Sequence, residues 1–123
     1  MDAYLVLLNG NESTWGEMTP EQTAAAFADH GRFQEQLTAR GHRLVQTAPL
    51  MPASEAVSFR PGATTPTDGP FAETAEQVTG FYLVETDDRD GLLELVGILS
   101  GHGEGVEVRR VATPDELRSE MSS

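Results

Sequence analysis

The chain has 123 residues, of which 38% are hydrophobic, enough apolar material for the core of one domain and too little for two. Its 20 acidic and eight basic side chains give a formal charge of -12, so a nucleic-acid backbone or an anionic membrane surface would repel the protein. Neither lysine nor cysteine occurs, which excludes lysine Schiff bases, thiolate catalysis, disulfides and cysteine-ligated metals.

The first predicted element is a strand at residues 4–8, whose side chains are apolar on both faces, as in a central strand covered on each side. This apolar run is shorter than a membrane span, and no basic segment precedes it. We therefore expect a cytoplasmic protein with no membrane partner. The polar loop that follows carries Trp15, the chain's only tryptophan.

A capping-box pattern at residues 19–22 predicts a helix that begins at Pro20 and continues to Arg40. Within this helix, four residues recur at steps of four, three and four, which places them on one stripe: Ala26, His30, Phe33 and Leu37. We expect His30 to face inward on this stripe. A histidine there is more often a core residue than a catalyst, so both interpretations stay open.

The second half of the chain predicts strands, a hairpin and a shorter helix. The predicted elements are a strand at 42–48, a hairpin over 56–67, a strand at 81–86, a helix from 87 to 99 and a strand at 106–111. The order is βαββαβ with a hairpin insertion, an α+β ferredoxin-like domain at residues 1–112. A short polar tail, residues 113–123, follows it. Both helices cover one face of a single antiparallel sheet, so the apolar opposite face predicts a homodimer.

An acid lies on a rigid turn between the hairpin and the strand at 81–86. The sequence there is Asp68-Gly69-Pro70-Phe71. Aspartate before glycine and proline is common in turns, where its carboxylate bonds to nearby backbone amides. Alternatively, Gly69 permits an unusual backbone angle and Pro70 makes it rigid, so that Asp68 is held as a general base or as the partner of an imidazole.

Several segments together resemble the DGPF branch of the YCII-related proteins. They are the first strand with Trp15 after it, His30-Gly31-Arg32-Phe33, the block from Asp68 to Thr74, Gly80-Phe81-Tyr82 and Val106-Glu107-Val108-Arg109. The resemblance implies a ferredoxin-like dimer whose sheets form an α+β barrel, with a His and an Asp in a cleft as the proposed active site. The matching residues here are His30 and Asp68. Ala75 and Arg110 depart from the pattern, since a lysine and a proline are common there.

Three further residues are candidates for contact with a substrate. Trp15 is a candidate for a lid over the cleft, and its alternative role is packing. Phe71 is a candidate for the wall of the cleft, and its alternative is burial in the core. Arg109 could bind a carboxylate or a phosphate, although an arginine on this last strand is more often solvated or ion-paired. The histidines at 30, 42 and 102 show no metal-ligand spacing, so we expect no metal and no cofactor.

Two functions stay open on these grounds. The first is an enzyme in which His30 and Asp68 transfer protons on a small metabolite. The second is a non-catalytic ligand-binding or regulatory module. Relatives within the family accompany sigma factors. The resemblance therefore implies a link to transcription for the second function. Nothing in the sequence identifies the ligand.

Overall fold

The computed structural model describes residues 1–12, 16–72 and 76–122. The strands are β1 (Asp2–Asn11), β2 (Arg43–Pro49), β3 (Val57–Ser58), β4 (Thr67–Asp68), β5 (Glu76–Thr86) and β6 (Gly105–Arg110), and the helices are α1 (Pro20–Ala39), α2 (Arg89–Val96) and α3 (Pro114–Ser122). Short 3-10 turns lie at Ala53–Glu55 and at Gly97–His102. Within the described residues, no helix is long and apolar enough to cross a membrane.

The main sheet has four antiparallel strands in the order β2-β5-β1-β6. This order, with a helix after β1 and another after β5, is the ferredoxin-like α+β arrangement, so the predicted fold class is confirmed. Strands β3 and β4 pair with each other in a separate ribbon, which is the predicted hairpin insertion. We call residues 50–72, which contain this ribbon, the arm.

The core lies between one face of the sheet and the helices α1 and α2. Alternate residues of β1 and β5 point to this face and are fully or almost fully buried, as the period of a strand requires. The main members of the core are Tyr4, Val6, Leu8, Phe33, Leu37, Tyr82, Val84, Leu92, Leu95 and Leu99. The inward stripe predicted for α1 is therefore confirmed, because Phe33 and Leu37 have no exposed surface.

Helix α1 begins as the sequence predicts. The Thr19 hydroxyl accepts from the Gln22 backbone amide at 3.1 Å, and the Gln22 side chain accepts from the Thr19 amide at 2.9 Å. These two bonds satisfy amides that a helix start leaves without partners. The helix ends at Ala39, and Gly41, just after the cap residue Arg40, has a φ of 81°, in the left-handed region that favours glycine. Both ends of the helix that carries His30 are thus fixed locally.

In the described part of the chain, the other face of the sheet is less well covered than the helix side. Leu5, Leu7, Phe81 and Leu83 alternate with the buried positions of β1 and β5, and each is only partly buried. The arm adds further apolar surface, because Val57, Phe59 and Phe71 are all exposed. An isolated chain thus presents apolar groups both on a sheet face and on a projecting ribbon.

The C-terminal tail forms helix α3. Its start repeats the capping box, with the Thr113 hydroxyl accepting from the Glu116 amide at 3.1 Å. Arg110, at the end of β6, binds both carboxylate oxygens of Glu116 at 2.6 and 2.5 Å. This arginine, which stands where the resemblance leads one to expect proline, connects the last strand to the tail. Its guanidinium lowers the pKa of Glu116 to about 2.

Candidate functional site

A cavity of about 380 Å³ lies between helix α1 and the strands β2 and β5. This volume is in the range of small-molecule sites, which bury most of a ligand in an apolar pocket with few polar groups. Most of its lining is apolar: Leu8, Met18, Ala26, Phe27, Ala48, Pro49 and Phe81. The polar residues in its wall are Thr23, His30, Gln34, Thr47, Thr79, Tyr82 and Glu104. We call this space the His30 cavity.

His30 reaches the cavity from the inward stripe of α1, and its side chain is 22% exposed. Its Nδ1 lies 2.7 Å from the hydroxyl oxygen of Tyr82, a short hydrogen bond between two rings that also stack with their centroids 5.9 Å apart. Its Nε2 lies 3.7 Å from Oε1 of Glu104. The second distance is too long for a hydrogen bond and suits an ion pair. Both ring nitrogens therefore have a polar neighbour.

Tyr82 is placed by the alternation of β5, which directs it to the helix side of the sheet. Phe33, on the same stripe as His30, packs edge-on against the Tyr82 ring at 4.9 Å between centroids. The Gln34 amide lies 3.5 Å from the same phenol oxygen. The tyrosine ring is thus held by α1 on two sides, with its hydroxyl at the cavity wall.

Glu104 lies just before β6, and its side chain is only 4% exposed. A β-bulge supports it: Leu8 pairs with Gly80 and Asn9 pairs with Val78, which leaves Thr79 outside the register of β5. The Thr79 hydroxyl lies 2.6 Å from Oε2 of Glu104 and donates to that carboxylate. One carboxylate oxygen is therefore satisfied, and the other faces His30.

A second contact fixes the segment that carries Glu104. His102 Nε2 lies 2.5 Å from Oδ2 of Asp29, the neighbour of His30 on α1. The hydrogen bond from His102 holds the pKa of Asp29 below its ordinary value. Between the two contacts, Gly103 has a φ of 80°, a backbone angle that favours glycine. Two adjacent residues of α1 thus bind two residues of the same loop, which aligns Glu104 with His30.

The contacts favour one arrangement of protons around the neutral imidazole. Gln34 donates to the Tyr82 oxygen, so the Tyr82 hydroxyl is free to donate to Nδ1 of His30. The ring proton then lies on Nε2 and faces the carboxylate of Glu104, which can only accept. A carboxylate that orients an imidazole in this way is typical of acid/base sites.

The titration of Tyr82 tests this geometry. Burial raises the pKa of Tyr82, and the nearby Glu104 carboxylate raises it further. The folded chain therefore keeps the phenol proton at a pH where an unfolded chain releases it, so this contribution to stability should be lost as pH rises above about 10. Replacing Glu104 with glutamine should lower the pKa of Tyr82 without restoring its ordinary value. Ultraviolet titration of the phenolate in a Tyr4→Phe background measures it; an unchanged or higher pKa would contradict the contact.

Two of the residues predicted from sequence lie on the arm, away from the His30 cavity. Asp68 and Phe71 line a second cavity of about 330 Å³, together with Ser58, Arg60, Thr67 and Pro70. Gly69 has the positive φ expected of it, 101°. Phe71 is 62% exposed and lies under the Arg60 guanidinium at 5.6 Å, so the expectation that it fills the core of its own chain is wrong. Within one chain, Asp68 and His30 line different cavities.

The other two candidates lie elsewhere. The side chain of Arg109 is 72% exposed, and its nearest carboxylate is Glu107, at 3.9 Å on the same strand. It lines neither cavity, and an ion-paired surface arginine was the alternative given for it. Trp15 lies outside the described residues, so its role as a lid stays a prediction.

Sequence reasoning missed Tyr82, Glu104 and Thr79. The first two had a weak signal: Gly80-Phe81-Tyr82 places a phenol on a buried strand, and Glu104 is a single acid between two glycines before the last strand. Thr79 could not be found, because its contact depends on a bulge in the register. Among the described residues, no group of three or more His, Asp or Glu side chains could hold a metal ion.

The fold and the cavity together define a small ferredoxin-like α+β protein with a ligand-sized cavity between its first helix and its sheet. The chain belongs to the YCII-related domain family, whose family model matches residues 3–113. It is 34% identical over 123 residues to an uncharacterised protein of Rhizobium meliloti (strain 1021), an alignment that covers 94% of this chain and 98% of that protein. The family assignment made from sequence is therefore confirmed.

Proposed function

We propose that the protein binds a small metabolite in the His30 cavity and that His30 transfers a proton to or from it. One observation carries this proposal: the imidazole lies in the wall of an apolar cavity with Tyr82 at one ring nitrogen and the buried Glu104 carboxylate at the other. A positioned histidine of this kind contributes about 10² to 10⁴-fold to a rate. Tyr82, which burial keeps protonated, holds the ring by donating to its Nδ1.

A metabolite screen by thermal shift tests the proposal. A ligand of the cavity should stabilise the wild type by about 2.7 kcal/mol when present at a hundredfold excess over its Kd. His30→Asn should bind it more weakly or bind it without converting it. Conversion, followed by NMR, should fall in this variant by about 10² to 10⁴-fold. The proposal would be contradicted if a ligand stabilised the wild type and His30→Asn equally and the two proteins converted it at the same rate.

The sequence-based pairing of His30 with Asp68 stays a prediction, and the same screen addresses it through Asp68→Asn. Asp68 lies on the arm, so it could approach His30 only from the arm of a second copy or after movement of its own arm. Loss of conversion in Asp68→Asn would favour that pairing. Unchanged conversion would leave Glu104 as the carboxylate that acts with His30.

We also propose a homodimer formed through the uncovered sheet face, as in a dimeric α+β barrel. The partly buried Leu5, Leu7 and Leu83 and the exposed apolar residues of the arm support this proposal. Sedimentation should give a dimer for the wild type at micromolar concentration. Leu83→Glu should give a folded monomer, because it places a charge on the uncovered sheet face and leaves the core on the helix side intact. A monomeric wild type would contradict the dimer.

A non-catalytic module is the second candidate function. The exposed Val57 and Phe59 of the arm favour it, because a docking protein needs solvent-facing apolar groups. Assignment to the DGPF branch rests on the block that starts at Asp68, and a cytoplasmic role beside a sigma factor is an extension of that resemblance. A ligand that binds at His30 and is never converted, together with a protein partner on the arm, would favour this function.

A further inference from the structure

The described part of the wall of the His30 cavity carries one negative charge and no permanent positive charge. Of its described lining residues, Glu104 is the only carboxylate, and none is an arginine. The Glu104 side chain is 4% exposed, so its charge has lost most of its contact with water. A buried carboxylate is costly unless a cation or several hydrogen bonds compensate it. His30, whose Nε2 lies 3.7 Å from Oε1 of Glu104, supplies such a cation only when its imidazole is protonated.

The two oxygens of Glu104 differ in what they bind. Oε2 accepts from the Thr79 hydroxyl at 2.6 Å. Among the described residues, His30 Nε2 lies 3.7 Å from Oε1, which is beyond hydrogen-bond range. Oε1 therefore has a free position for a donor in the wall of the cavity, beside His30. An N–H group of a ligand placed there would complete the coordination of the carboxylate.

The apolar walls suit a cation with a hydrophobic body. Phe27 and Tyr82 also line this space. Aromatic faces attract an ammonium group through their quadrupole, and the apolar walls take up its hydrocarbon part. The formal charge of -12 on the whole chain also raises the local concentration of cations and repels anions.

We infer that the His30 cavity takes an organic amine, bound as its ammonium form, with Glu104 as the counter-ion and the apolar walls around its hydrocarbon body. This inference rests on the proposed function, since the binding site is the same. It adds the chemical class of the ligand. An ammonium group bound at Oε1 would place the adjacent carbon atoms of the ligand beside Nε2 of His30. In that position His30 would exchange a proton with the ligand.

A series of three matched probes tests the charge preference. Phenethylamine, phenethyl alcohol and hydrocinnamate share one hydrocarbon body and carry a cationic, a neutral and an anionic group. Binding is measured by calorimetry and by the NMR signals of the His30 ring. We expect the amine to bind at least tenfold more tightly than the alcohol, and hydrocinnamate to bind most weakly.

Two variants that remove the same charge provide the control. Glu104→Gln keeps an acceptor for Thr79 and should reduce the affinity for phenethylamine about tenfold, to that of the alcohol. Glu107→Gln, on the exposed side of β6, should leave it unchanged. Failure of the amine to bind, equal binding of hydrocinnamate, or indifference to Glu104→Gln would overturn the amine assignment. If the alcohol or the acid binds and shifts the His30 signals, only the amine assignment fails, and the His30 cavity is still the binding site. If a probe binds without shifting the His30 signals, the proposed function itself is contradicted.

Discussion

Replacing Phe33 with alanine should lower the free energy of unfolding by about 3 to 5 kcal/mol. Phe33 is fully buried, and its ring packs edge-on against Tyr82 at 4.9 Å. The truncation leaves a void in the centre of the core and removes the ring that holds Tyr82 beside His30. Stability and site geometry should therefore be lost together. Urea unfolding measures the first, and the NMR signals of the His30 ring report the second.

Phe27→Ala is the matched control for Phe33→Ala. It makes the same change on the same helix, but Phe27 is 69% exposed at the cavity. Its substitution should change stability by no more than about 0.5 kcal/mol. Equal losses in the two variants would mean that α1 does not present the stripe of Phe33 and Leu37 to the core.

Replacing Thr79 with valine should destabilise the protein by about 1.5 to 3 kcal/mol, because a hydrogen bond to a buried charge is lost and its acceptor stays buried. The Thr79 hydroxyl is the donor that lies 2.6 Å from Glu104, and valine has nearly the same shape without the hydroxyl. Denaturant unfolding at neutral pH measures the loss.

A double-mutant cycle with Glu104→Gln separates this bond from other effects of the substitution. In the glutamine background, the carboxylate charge is absent, so Thr79→Val should cost less than it does in the wild type. Equal costs in both backgrounds would show that Thr79 does not stabilise the charge of Glu104, and the bulge in β5 would then have no role in positioning the carboxylate.

The sequence predicted the elements of the fold well where the signal is local. The capping box of α1 and the glycine that ends it are formed by residues a few positions apart, so their bounds could be predicted almost to the residue. The inward stripe of α1 followed from the helical period alone. The short apolar runs at residues 4–8 and 81–86 predicted β1 and β5, although β5 begins at Glu76, earlier than the predicted residue 81.

The candidate site was harder to predict because it depends on long-range contacts. His30 could be placed by its helical period, but its neighbours Tyr82 and Glu104 are far from it in the chain. Glu104 resembles one of many surface acids in a chain this acidic, and only the folded loop shows that it is buried. Asp68 was conspicuous because of the turn around it, and that turn belongs to the arm. A strong local sequence signal, as at Asp68, therefore did not identify the residues that line the His30 cavity.

The histidine ring NMR spectrum, recorded while a stabilising metabolite is added, tests the central claim most directly. The chain has three histidines, and the one at 42 is buried and bonded to Thr86, so it serves as an internal control. We predict that the ring signals of His30 shift with the ligand concentration while those of His42 stay in place. A metabolite that stabilises the protein and shifts residues around Asp68, with His30 unchanged, would contradict the His30 cavity as the functional site.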